Sequence, residues 1–269
     1  MGGSFSGRTI NSSTFVNVSD FLFQVAQGSI SGYQSINKFG RNPDIDTNTD
    51  PEDIWTYGGT YTYNDTPSIQ YISSSDATDI GITITLEGLD ENWNEQSVEV
   101  VLNGQNQTQI GTTETFVRVY RAFTSGDTAF NGNVLIYDST VVSVNLGVPS
   151  PITSIKAEIK QEDQQTFMTH YTVPANHTGF IIRKGLSLND TQSSTVSVMD
   201  LRVREFGGVF RSRELDSIRN NGQSAIEYTF PAPFQIPEKS DVKLVCRETS
   251  SADADITGYL NLIVVRNGS

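Results

Sequence analysis

Asp44-Ile-Asp-Thr-Asn-Thr-Asp50 sets an oxygen-bearing side chain at every second position: Asp44, Asp46, Asn48 and Asp50. Hard cations are held by such oxygens, and Ca²⁺ loops begin with ligands at their first, third and fifth positions. The pattern then departs from that loop, because its sixth residue is Thr49 rather than Gly and its twelfth is Trp55 rather than Glu. A polar loop is the leading reading, with these four residues as candidate ligands of a cation held in some other geometry. Asp253 and Asp255 read as an acidic turn.

The other chemistries find less. Zinc needs convergent Cys and His ligands, and the chain offers Cys246, His170 and His177, the two histidines flanking Tyr171-Thr-Val-Pro174. We read them as structural or surface histidines. Cys246 shares one strand face with Val242 and Leu244, which points to a buried thiol rather than a nucleophile. Serines and acids are abundant, but no Gly-x-Ser-x-Gly elbow orders a triad. A glycosidase needs two carboxylates at a set separation, and among 31 acidic residues no sequence rule selects the pair. No phosphate-binding glycine loop occurs. The sequence therefore calls for no cofactor and no enzyme.

The elements that would position any site are strands. From about residue 60 the hydrophobic period is two: Ile80, Ile82, Ile84 and Leu86 alternate with Gly81, Thr83 and Thr85, and similar runs recur at 98–100, 116–120 and 133–137. Turn residues follow each run (Gly88–Asn92, Asn103-Gly104, Ser125–Asp127), so neighbours should pair antiparallel. Asn145–Pro151 reads as a linker. Beyond it, Ile155, Ala157 and Ile159 oppose Lys156, Glu158 and Lys160, a strand buried on one side. Further strands are expected at 167–173, 179–183, 197–203, 226–230, 242–246 and 259–265. Pro231, Pro233 and Pro237 confine their segment to an edge or loop. The one helical candidate in this half is Arg211–Arg219.

These signals predict an all-β protein with an antiparallel β-sandwich or jelly-roll body, possibly of two β domains, and an extended N-terminal arm. The expected divisions are an assembly arm over 1–60, a first β region over 61–148 and a second over 149–269. The arm's large apolar residues Phe5, Ile10, Phe15, Phe21, Phe23, Phe39 and Trp55 are isolated among Gly, Ser and Asn. An arm cannot bury them by itself, so they are candidate interface residues, docking on the rest of the chain or on a neighbouring subunit. Asp20 and Gly28 could bound a short helix over Phe21–Ala26.

The net charge of −13 opposes binding to phosphate backbones and anionic lipid, so no nucleic-acid partner is expected. Arg202, Arg204, Arg211, Arg213 and Arg219 cluster, but Glu205, Glu214 and Asp216 are interspersed, giving a mixed solvated face. Met1–Ser6 has neither a basic nor an apolar leader region, and no apolar run approaches the ~20 residues of a membrane span. We expect neither secretion nor membrane insertion.

One series of segments is distinctive: Ser31–Asn42, Pro51–Gly59, Leu86–Asn94, Thr115–Phe123, His170–Pro174, Arg202–Phe210 and Ile236–Lys243. In that order they resemble a family of virion structural proteins of tailed bacteriophages from marine and freshwater bacteria, including cyanophages. The resemblance carries no enzymatic motif. It implies a non-enzymatic virion protein, either capsid decoration or tail-associated, assembled in the bacterial host cytoplasm against major capsid or tail proteins. A homo-oligomer, with a trimer favoured, fits that role. The alternative is a receptor- or carbohydrate-binding adsorption protein, and a glycan depolymerase is the remote one.

Overall fold

The computed structural model describes residues 21–46, 51–190, 194–220 and 224–268. Phe5, Ile10, Phe15, Asn48 and Asp50 lie outside them. Helix α1 (Phe21–Ala26) is closed by Gly28, whose φ of 68° suits the left-handed stop and whose N–H donates to the Val25 carbonyl. Strands β1 (Tyr33–Ile45) and β2 (Glu52–Asp53) follow.

Residues 55–168 then build a lobe of their own. Its strands are β3 (Gln70–Ser74), β4 (Ile80–Leu89), β5 (Glu95–Asn103), β6 (Thr108–Gln109), β7 (Arg118–Thr124), β8 (Val134–Asp138), β9 (Ser143–Asn145), β10 (Val148–Ser150) and β11 (Ile155–Ile159). A sheet in the order β11-β8-β3-β6 and a sheet in the order β5-β4-β7 close over a core that includes Ile72, Ile84, Leu86, Phe116, Ile136 and Ile159. Every pairing among these strands is antiparallel.

The remaining strands are β12 (Tyr171–Thr172), β13 (His177–Asn189), β14 (Val196–Arg204), β15 (Arg211–Arg219), β16 (Ala225–Ile236), β17 (Asp241–Thr249) and β18 (Ala254–Arg266). With β1 they form two sheets, β1-β18-β13-β16 and β12-β17-β14-β15, around a core that includes Met199, Leu201, Leu244, Ile256, Leu260 and Leu262. Taken in chain order within this body, the eight strands lie first-eighth-third-sixth and second-seventh-fourth-fifth. That interleaving is two nested Greek keys, a jelly roll.

The second jelly-roll strand is split. Its first half is β2, paired with Val245 and Cys246 of β17, and its second half is β12, paired with Asp241 and Val242 of the same strand. The chain leaves at Ile54 and returns at Thr169, whose N–H donates to the Ile54 carbonyl at 3.1 Å. The whole lobe is thus inserted through a neck two strands wide. Gly40 of β1 lies against that neck, where a Cβ would stand 2.5 Å from the Ile54 oxygen and 2.7 Å from the Thr169 nitrogen.

Several expectations change. Residues 33–46 and 51–60 are not arm: β1 is an edge strand of the jelly roll, and Trp55, 3% exposed, is packed in the inserted lobe's core. The boundaries fall at 54/55 and 168/169 rather than at 60 and 148, because β11 pairs back onto β8. Arg211–Arg219 is strand, not helix, since its backbone completes the β14 ladder. Asn145–Pro151 is largely the β9–β10 hairpin, turning at Leu146-Gly147, not a linker. The expected strand over 167–173 shortens to Tyr171–Thr172. β11 is buried on both faces, because Lys156 finds Asp138 at 3.1 Å and Glu158 finds Asn133 at 3.0 Å. The prolines of 231–237 fall where expected, on or just past the edge strand β16, which loses register with β13 opposite Ile181–Arg183.

Candidate functional site: the junction between the lobes

Two strands of covalent neck could not fix one lobe against the other. A network of buried charges does. Arg118 of β7 donates from Nε and Nη2 to the two carboxylate oxygens of Asp241 at 2.7 and 3.0 Å. The same carboxylate accepts Arg204 Nε at 2.8 Å and the Thr172 hydroxyl at 2.6 Å. Arg204 Nη2 donates as well, and with Asp241 only 1% exposed these five hydrogen bonds are what make its charge tolerable there. Burial works against the Arg118 charge, but the Asp241 carboxylate overrides it and holds the guanidinium above its usual range.

A second buried acid lies alongside. Asp53 of β2 meets Lys243 Nζ at 2.7 Å, His170 Nε2 at 3.2 Å and the Tyr61 N–H at 2.9 Å. Burial alone would raise the Asp53 carboxyl, yet His170 and Lys243 together pull it below the usual range. His170 and Lys243 are both lowered, burial outweighing the attraction of Asp53. Tyr63 ties the two groups together: Arg204, Arg118 and Lys243 lie 4.5, 5.0 and 5.7 Å from its ring centre. His170 is buried beneath the Tyr61 ring, with the ring centres 4.5 Å apart.

Beside this network the lobes stand apart and leave a polar cleft of about 570 Å³. One wall is β1; the other is the inserted lobe, through Glu87, Glu95, Gln96, Tyr120 and Arg121, with Gln165 near the neck. Lys38 of β1 points in and donates to the Tyr120 carbonyl. Burial, assisted by Arg121 and opposed by Glu87, lowers its amine to about 7. Arg121 is held by Gln165 Oε1 at 3.2 Å and Glu87 Oε2 at 3.5 Å. Tyr171, 2% exposed, lines the same cleft, and its hydroxyl lacks a hydrogen-bond partner.

The residues singled out by spacing lie elsewhere. Of the four candidate cation ligands, Asp44 and Asp46 lie within the described residues, at and just past the end of β1. The Asp44 N–H donates to Asn42, the Asp46 N–H donates to Glu52, and the Glu52 carboxylate also takes the Gly59 N–H at 2.8 Å. Among the described residues no three His, Cys, Asp or Glu side chains group as metal ligands. Phe21 and Phe23 are about half exposed on α1; Phe39 is 38% exposed and in ring contact with Phe167 at 5.6 Å. The arginine cluster divides: Arg211, Arg213 and Arg219 are exposed, while Arg204 turns to Asp241 and Arg202 to the buried Asp200.

Sequence reasoning missed the junction. A faint signal was present, since Asp241 abuts and Lys243 interrupts the apolar run Val242–Cys246, and Lys38 sits between Ile36 and Gly40 in period two. A charged residue in a strand has no address for its partner until the sheets are assembled.

Among the described residues no helix is long and apolar enough to cross a membrane. No protein-family model matches the chain, and no curated protein matches it. Solved structures overlap it weakly. A crystal structure of the infectious bursal disease virus VP2 subviral particle is 10% identical, with 88% of this chain and 72% of that chain covered and a TM-score of 0.23. The structure of the infectious bursal disease virus Gx strain is 11% identical over the same shares, with a TM-score of 0.24. Overlaps of this extent carry no argument about function.

Proposed function

We propose that this chain is a non-enzymatic structural subunit of a bacteriophage virion, either decorating the capsid or associated with the tail, and assembling as a homo-oligomer with a trimer favoured. The observation that carries the reading is the jelly roll with a second β-sandwich inserted in its second strand and locked to it by buried ion pairs. Jelly rolls serve both capsid and lectin domains, and the fold alone does not choose between them. The lock favours a scaffold, because buried charges this fully paired hold one geometry rather than permit hinge motion.

Contact surfaces are in place. The inserted lobe exposes Val142, Leu146, Val148 and Ile152, and α1 exposes Phe21, Leu22 and Phe23. Exposed apolar side chains grouped in this way suit subunit contacts. Mass spectrometry of purified particles tests the proposal: the chain is expected at stoichiometric level, and its absence from particles overturns it. Deleting residues 1–27 should lower incorporation, and unchanged incorporation would remove the N-terminal segment from the assembly role.

A further inference from the structure

We propose that the cleft between β1 and the inserted lobe is a binding site for an uncharged saccharide chain. The inference concerns adsorption and does not depend on the particle-assembly reading.

The cleft has the dimensions of a ligand site: its volume of about 570 Å³ lies within the usual range for small-molecule pockets. Its walls carry the polar groups that sugars need. Gln34, Gln96 and Gln165 line it with planar amides and Glu87 and Glu95 with planar carboxylates. Gln96 Nε2 is given to the Thr115 carbonyl and Gln165 Oε1 to Arg121, leaving the other amide atom of each for a ligand. A sugar hydroxyl is both donor and acceptor, so a row of amides and carboxylates can meet neighbouring hydroxyls in pairs. The Tyr120 ring adds an apolar surface for the C–H face of a pyranose.

The charges exclude the obvious rivals. Arg121 faces Gln165 at 3.2 Å and Glu87 at 3.5 Å, and Lys38 donates to the Tyr120 carbonyl. Glu87 and Glu95 match Lys38 and Arg121 in number, so the lining carries no surplus positive charge to select a phosphate or sulfate. Glu95 itself is only loosely engaged, at 3.5 Å from the Gln34 amide, and its side chain is exposed. Two groups at the mouth thus remain available to a ligand.

The second, independent observation is Tyr171. The residue lines this cleft, and its hydroxyl is buried and unpaired. Buried polar atoms without partners are uncommon, and each calls for an explanation. A hydroxyl from a sugar, or a water that a sugar holds in place, would supply the missing partner.

The test uses the full-length chain. Saturation-transfer NMR and calorimetric titration would be run with hexasaccharides of neutral glucans, mannans, xylans and chitin, and with a sulfated glycan and a polyproline peptide for comparison. At least one neutral hexasaccharide is expected to bind. Tyr171→Phe and the pair Glu95→Gln with Gln165→Ala are each expected to weaken it by about tenfold or more. Glu227→Gln, outside the cleft, should leave binding unchanged. Tyr171→Phe removes one oxygen from a site with no partner for it, so its thermal midpoint should not fall, which separates lost binding from lost folding. The proposal is overturned if no neutral saccharide binds, if only the sulfated glycan or the peptide binds, or if the cleft variants bind as the parent does. Particle mass spectrometry reads the assembly proposal separately.

Discussion

Arg118 and Asp241 are 123 residues apart in the chain and form a two-point ion pair, 2.7 and 3.0 Å long, in which both side chains are buried. The pair joins β7 of the inserted lobe to β17 of the jelly roll, so it fixes the angle between two bodies that the neck alone would leave free. Its consequences are asymmetric. Asp241 serves Arg118, Arg204 and Thr172 at once, whereas Arg118 also donates to the carbonyls of Asn64 and Val117.

Asp241→Asn should therefore destabilise the protein more than Arg118→Met does. The first leaves two guanidinium groups facing a neutral amide, and breaking a buried pair in that way costs about 3–5 kcal/mol. The second leaves Asp241 still satisfied by Arg204 and Thr172. Urea unfolding of the two variants measures the difference, and equal losses would contradict the account.

Lys38 gives stability a pH dependence. Its folded amine is lowered from 10.5 to about 7, chiefly by burial, with Arg121 adding to the effect and Glu87 opposing it. Between those two pH values the unfolded chain binds a proton that the folded chain does not, so this group makes stability rise as pH climbs from about 7 toward 10.5. Below 7 its cost is complete and constant. Lys38→Met abolishes the term. The unfolding free energy of the variant minus that of the parent should fall with rising pH across this window, by at most about 1.4 kcal/mol per pH unit. Denaturant titrations at several pH values check the slope.

Gly40 and Gly185 should respond differently to alanine. A Cβ on Gly40 meets only backbone of the neck, at 2.5–2.9 Å. One on Gly185 meets the ring of Tyr259, whose nearest atom would be 2.1 Å away. Tyr259 lies on the outer face of the sheet, half-buried along an open groove, so its ring can swing off. Gly40→Ala is expected at or beyond the upper end of the ~1–3 kcal/mol that overpacking costs, and Gly185→Ala near the lower end. Thermal unfolding distinguishes them.

Cys246 should be inert in the native protein. It is 2% exposed, its thiol donates to the Glu248 carbonyl at 3.4 Å, and burial raises its pKa to about 12. A thiol-specific reagent at pH 8 is expected to label nothing until denaturant is added, and then to label one equivalent. Labelling of the native chain would show that β17 opens.

The amino-acid sequence by itself determined the local rules. Period-two alternation made strands of 80–89 and 95–103, the turn signal at Gly88–Asn92 joined them, and prolines held the 231–237 segment to an edge, because sterics and neighbouring residues decide these features. The buried thiol was legible for the same reason: it alternates with Val242 and Leu244 along one strand face. Only the tertiary structure decided that β1 lies beside β18, that the second jelly-roll strand is broken at Ile54 and resumed at Thr169, and that Arg118 belongs to Asp241. Strand pairing across two hundred residues has no period to announce it, and a charge in a strand reads as solvated until a partner from a distant segment is packed against it. The junction and its cleft exist only where those distant segments meet.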